Sequence, residues 1–301
     1  MNNLALYGCT VFIWGSTWLA IKFQLGTVAP AVSIAWRFAL AGIILQVYAR
    51  IRRLPLGFDL RTHAWLVLHG ILMFGASYLL AYLSELTLPS GLVAVTFSLI
   101  VFFNILFLRL FFAVPVRTAS LAGAAIGIAG VALLFRPDIS GFSFSAEHRR
   151  GVAYCLGSTL VASLGNMTAT QSHRMRLPVV QATAWSMLYG ALFIAAYAAL
   201  DGEAFAFDTA PTYVVSLLYL AVFGSVIAFV AYLTLMARIG ADRASYSNIA
   251  IPVVAMLLST LFEHLRWNLW IGAGLVLCLV GNVMVHWGPK LPMARSPAEV
   301  S

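Results

Sequence analysis

Phe74-Gly75-Ala76-Ser77, followed by Ala81-Tyr82-Leu83, returns about 150 residues later as Phe223-Gly224-Ser225-Val226, followed by Ala231-Tyr232-Leu233. The echo is not confined to one segment. Pro30 and Gly42 flank Ala35-Trp36, and Pro178 and Gly190 flank Ala184-Trp185 at almost the same spacing. Gly123 and Gly130 lie seven apart in one apolar run, and Gly274 and Gly281 lie seven apart in another. The chain is thus a tandem duplication, and each copy carries five long apolar stretches. An odd number of spans makes the second copy enter a bilayer upside down. Secondary carriers built on such inverted repeats place a site at the repeat interface.

Composition makes the bilayer the relevant solvent. The chain is 62% hydrophobic and only 9% charged, with a mean hydropathy of +0.93, whereas soluble domains carry roughly 25% charged residues. The expected fold is therefore an all-α polytopic membrane protein. A span needs about 20 apolar residues, because backbone polar groups in hydrocarbon must bond within their own helix. Ten such runs are expected, at 4–24, 31–50, 64–86, 88–112, 117–135, 151–171, 178–200, 211–236, 244–263 and 268–287. They divide the chain into a first repeat over 4–135, an inter-repeat loop at 136–150, a second repeat over 151–287 and a polar, disordered tail at 288–301. The first run lacks a basic flank and a cleavage site, so it reads as a retained span.

The net charge of +8 does not form a nucleic-acid face, because the basic residues sit in short loops. With ten spans, Arg50, Arg52, Arg53, Arg61, Arg109, Arg117, Arg174, Arg176, Arg238, Arg243, Lys290 and Arg295 fall on one side. Lys22, Arg136, Arg149, Arg150 and Arg266 fall on the other. This bias predicts both termini in the cytoplasm. Cys9, Cys155 and Cys278 lie in apolar runs and read as packing residues.

No chemistry of an enzyme is visible. The six histidines lack metal-ligand spacing, no Ser/His/Asp set shares a helix face, and there is no phosphate-binding glycine loop. No cofactor and no metal are expected. All ten acidic residues fall in loops or at helix ends, with Glu85 and Glu263 near the non-cytoplasmic boundary. Carriers of cationic drugs use a buried acid that alternates between proton and substrate, so a neutral or zwitterionic substrate is expected instead. Arg37 is the one cation well inside a predicted span. It either snorkels or bonds helix carbonyls, or it attracts a substrate carboxylate.

The candidate substrate-binding residues are aromatic and amide side chains at helical spacing. Trp14 and Trp18 share a face of the first helix, and Tyr78 and Tyr82 share one of the third, with Ser77 before them and Tyr232 as the counterpart of Tyr82. Tyr246, Ser247 and Asn248 open the ninth helix, and Asn104, Asn166 and Gln171 add amides. Each ring alone reads equally as interfacial belt or packing; together they could stack on a planar apolar ligand. Pro252 is either a gating kink or a packing kink. The paired glycines read as close helix contacts, which leaves room for a homodimer seam.

Trp14-Gly15-Ser16-Thr17-Trp18, Trp36-Arg37-Phe38, Pro252-Val253-Val254-Ala255-Met256 with Leu261-Phe262-Glu263, and Ile271-Gly272-Ala273-Gly274 running to Gly281 resemble the EamA repeat of the drug/metabolite transporter superfamily. The resemblance covers about 4–287 and is closest to YddG-type exporters of aromatic amino acids. It implies helices one to four and six to nine around a central cavity, helices five and ten outside, and outward transport by alternating access. The partners are then a small-molecule substrate and lipid. In the first repeat, Arg109-Leu110-Phe111 stands where the family usually carries a glutamate. Export of other neutral metabolites, such as threonine-like amino acids or nucleosides, is the alternative. A membrane enzyme or a scaffold is the alternative of another class.

Overall fold

The computed structural model describes residues 2–136, 145–239 and 247–286, and all regular structure among them is helical. Helix α1 is Asn3–Lys22 and α2 is Pro30–Ile51. Helix α3 runs Leu60–Glu85 through a π-helical stretch at Gly70–Ala76, and α4 runs Ser90–Phe112. Helices α5, Thr118–Leu134, α6, Ala146–Arg174, and α7, Val179–Leu200, follow. Helix α8 starts at Pro211, is π-helical over Tyr219–Ile227 and continues as Ala228–Ile239. Helices α9, Ser247–Phe262, and α10, Leu269–His286, complete the described chain. Among them, α1, α2, α3, α4, α7 and α8 are long and apolar enough to cross a membrane, and α5, α9 and α10 are shorter apolar helices. Tyr246, most of the inter-repeat loop and the tail lie outside the described residues.

The packing obeys the duplication. Exchanging α1–α5 with α6–α10 maps the main contacts between the repeats onto one another. Helix α1 packs on α8 and α9, and α6 packs on α3 and α4. Helix α2 packs on α8, and α7 packs on α3. The pairs α2–α7, α4–α9 and α5–α10 each join a helix to its own counterpart. Finer details repeat as well. The two π-helical stretches carry the two copies of the Phe-Gly motif. Trp36 donates to the carbonyl of Ala206 before α8, and Trp185 donates to the carbonyl of Leu56 before α3. Left-handed backbone ends equivalent helices in pairs: Gly26 with Arg176, Arg53 with Gly202, and Ala113 with His264.

In a bilayer both sides of a helix are apolar, and small residues let neighbouring helices approach closely. Along α2, Ala31, Ala35, Ala41, Gly42 and Ala49 are buried, while Ile43, Val47 and Tyr48 face out. The seam of α5 and α10 shows the extreme. A Cβ on Gly123 would lie 2.6 Å from the carbonyl oxygen of Gly281, and one on Gly130 would lie 2.7 Å from that of Gly274. The glycine sets thus pack against each other inside one chain.

One left-handed position gives a simple test. Ala113 closes α4 at φ 54°, where an L-residue is strained and glycine is not. Ala113→Gly is expected to stabilise the protein by about 0.5–1 kcal/mol, read as a higher thermal midpoint in detergent. An unchanged or lower midpoint counts against strain at this turn.

Candidate functional site

Arg37 stands two turns into α2, counted from its N-terminal Pro30, or roughly 10 Å of helix. It neither snorkels nor bonds helix carbonyls: it is 1% exposed. Its Nε donates to Ser225 Oγ at 3.3 Å, and its Nη1 donates to the Tyr82 hydroxyl at 3.4 Å. The rings of Tyr78 and Phe38 lie 4.7 and 5.2 Å from its guanidinium carbon. The two ring centroids are themselves 4.7 Å apart, so both rings lie to one side of the cation.

Two local features put these partners in place. Ser225 sits in the π-helical stretch of α8, and its hydroxyl donates to the carbonyl of Leu220, five residues back, at 2.9 Å. The widened turn leaves that carbonyl available, and π-bulges recur at functional sites. Tyr82 lies two turns past the matching stretch of α3. It accepts from Arg37 and donates to Gln24 Oε1 at 2.7 Å. The chain Gln24–Tyr82–Arg37–Ser225 therefore links α2 and α3 of the first repeat to α8 of the second. Among the described residues no carboxylate comes within ion-pair distance of Arg37; the ion pair present is Lys22–Glu263. A guanidinium has five N–H donors, so the site keeps donors to spare. A cation buried without a counter-ion costs several kcal/mol. The arrangement is one that an anion would relieve.

The other expected residues distribute unevenly. Tyr78 and Tyr82 join Arg37 directly. Trp14 turns to α8, donating to the carbonyl of Gly224 at 3.1 Å and packing on Phe229 and Tyr232. Gly224 borders the same cluster: a Cβ there would sit 3.5 Å from Arg37 Nη2. Trp18 packs instead on Phe97 of α4, with ring centroids 5.2 Å apart. Asn166 forms a separate polar knot, in which its amide and the Ser163 hydroxyl both donate to Asn104 Oδ1. Asn248 is half-buried at the start of α9. Pro252 is buried in α9 beside Ile251 and Val254, on which Gly15 of α1 packs. Arg37 and Tyr82 are buried within the bundle. Two grooves lie on the flanks. One, of about 350 Å³, lies between α1, α8 and α9, with Ser16 and Tyr219 at its base. The other, of about 280 Å³, lies between α2 and α7.

Several members of the site were not expected. Ser225 belongs to the repeated motif, which flagged its position but not its role. Gln24 sits past the end of α1 and carries no sequence signal. His69 precedes the π-helical stretch of α3, with Nδ1 2.8 Å from Thr168 Oγ1 and 3.1 Å from the Gly165 carbonyl. The Thr168 hydroxyl also reaches the Gly165 carbonyl. Glu85, the last residue of α3, is fully enclosed by protein, whereas Glu263 follows the end of α9 near the surface.

Residues 4–136 and 149–286 each match the EamA-like transporter family, and the chain belongs to that family. It is a multi-pass membrane protein of a transporter fold. Its relatives include the "Uncharacterized inner membrane transporter YedA" of Escherichia coli strain K12, 29% identical over 94% of this chain and 90% of that protein. A "Probable amino-acid metabolite efflux pump" of the same strain is 25% identical over 89% of each chain. A protein of known crystal structure superposes with a TM-score of 0.67 at 20% identity, over 94% of this chain and 95% of its own, and shows the same fold.

Proposed function

We propose that this protein is a ten-span inner-membrane exporter of aromatic or other hydrophobic amino acids and similar metabolites. Its two five-helix repeats are inverted, both termini are cytoplasmic, and alternating access moves the substrate past Arg37. The observation that carries this reading is the guanidinium of Arg37, buried between the repeats with no ion-paired carboxylate among the described residues and flanked on one side by the rings of Phe38 and Tyr78. An amino acid's carboxylate supplies the missing anion, and a planar side chain stacks on the neighbouring rings. Arg37 and Tyr82 are enclosed in the conformation described. Rocking of α1–α4 against α6–α9 about the pairs α2–α7 and α4–α9 would open either end. The name of the related efflux pump supports amino acids as the substrate class and export as the direction.

Uptake of radiolabelled phenylalanine into proteoliposomes tests the reading. Saturable uptake is expected, with tyrosine and tryptophan competing at least about tenfold better than threonine, the selectivity of one good stacking contact. Equal competition by threonine would shift the reading to small neutral amino acids. Uptake indistinguishable from empty vesicles for every amino acid and nucleoside tried would defeat it.

A further inference from the structure

One end of the bundle, where α1, α3 and α9 finish and α4 begins, is held by a charged clasp. Lys22 at the end of α1 pairs with Glu263 at 3.7 Å and donates to the main-chain carbonyl of Glu85. Glu263 in turn accepts from the Ser90 amide at 3.0 and 3.1 Å and from the Ser90 hydroxyl. The clasp thus ties α1, α3 and α4 of the first repeat to α9 of the second. Beneath it lies Glu85, the last residue of α3. Its side chain is 0% exposed, and neither carboxyl oxygen has a hydrogen-bond partner among the described residues.

The surroundings of Glu85 can be read element by element. Lys22 faces it from α1, Arg37 from α2 and Glu263 from the end of α9. Tyr82 lies one turn back on α3, and the buried Cys155 thiol comes from α6. Helix α4 begins there with Ser90, and the first turn of α6 holds Glu147, His148, Arg149 and Arg150 at its outer rim. Lys22 pairs with Glu263 and donates to a carbonyl, Arg37 points Nε and Nη1 at Ser225 and Tyr82, and neither forms an ion pair with Glu85. An ionised carboxylate in this position would be buried, unsolvated and beside a second acid, a cost of several kcal/mol.

We propose that Glu85 holds an exchangeable proton while this end of the bundle is closed, and that losing it opens the clasp. The step balances simply: the carboxyl proton passes to water at the opening mouth, and the carboxylate left behind draws Lys22 away from Glu263. Lys22 cannot serve both acids in their present positions, so the Glu263 tie between the repeats weakens as Glu85 ionises. A proton site outside the middle of the span replaces the mid-membrane acid that this chain lacks. The gating role rests on the transporter reading above; the proton on Glu85 does not.

Two measurements on full-length protein in liposomes separate the two. Infrared spectroscopy at neutral pH should show a protonated-carboxyl C=O stretch that disappears in Glu85→Gln. Absence of that band in the wild type, or its persistence in Glu85→Gln, overturns the proposal. The band does not depend on any substrate, so it stands even if phenylalanine is not carried. Phenylalanine counterflow is the second readout. Wild-type exchange should vary with pH by up to about tenfold per unit near the titration of one group, and Glu85→Gln should be flat. A wild-type profile already flat, or a Glu85→Gln profile unchanged from wild type, removes the gate. Should Glu85→Gln fail to fold, Glu85→Asp serves: it retains the band and displaces the pH profile.

Discussion

Arg37→Met is expected to abolish transport while leaving the fold as stable as before, or firmer. The methionine keeps most of the stem volume and discards the charge. Tyr82 retains Gln24 as a partner, and Ser225 retains the Leu220 carbonyl, so neither hydroxyl is orphaned. Replacing a buried ion by an apolar group of similar shape is often neutral or stabilising by about 1–4 kcal/mol. Two charge-assisted bonds to a substrate carboxylate, at about 1.5–3 kcal/mol each, correspond to a loss of roughly 100-fold or more in affinity. Arg37→Lys keeps the charge but loses the planar fork, so it should fall between wild type and Arg37→Met. Thermal midpoints and phenylalanine uptake are measured on the same preparations. Wild-type uptake by Arg37→Met would remove the carboxylate role. A large fall in midpoint with no specific transport defect would make Arg37 a structural residue.

Gly190→Leu should prevent correct packing of α3 on α7. A Cβ at Gly190 would lie 2.7 Å from the Gly70 carbonyl oxygen and 2.7 Å from Phe74 Cβ, and Gly70 meets the Ser186 carbonyl and Gly190 amide as closely. These contacts are largely with main chain, which cannot swing aside as a side chain can. Overpacking costs about 1–3 kcal/mol where neighbours can move, and a leucine here should reach or exceed the upper end. The lost closeness also moves the π-helical stretch of α3 that precedes Tyr78 and Tyr82. Gly272→Ala is the matched control, since nothing lies within 4 Å of its would-be Cβ. Alanine there should gain up to about 1 kcal/mol of helix propensity. Folded yield and midpoint in detergent decide the matter, and equal behaviour of the two variants would contradict the proposed tight crossing.

The helices and their duplication were legible in the sequence because a bilayer permits few alternatives. A hydrocarbon solvent forces helices, helices need long apolar runs, and a tandem copy leaves Phe74-Gly75 and Phe223-Gly224 as marks along the chain. Arg37 was legible as an anomaly for the same reason: a cation within a span has to be accounted for. Tyr78 and Tyr82 were legible by spacing, yet spacing also grouped Trp14 with Trp18, and the fold sends those two rings to α8 and α4 respectively.

Tertiary structure alone decided what Arg37 meets. Ser225 is 188 residues away, and only the exchange-symmetric packing of α2 on α8 brings them together. It also decided that the glycine rows of α5 and α10 face one another inside a single chain, and that Glu85 is enclosed while Glu263 sits near the surface. The physical reason is common to all of these. In a soluble protein the polar face of a helix marks the outside, but in lipid the outer and inner faces are both apolar. Periodicity then no longer tells which side of a helix faces its neighbours, and partner choice rests on close shape complementarity between segments far apart in the chain.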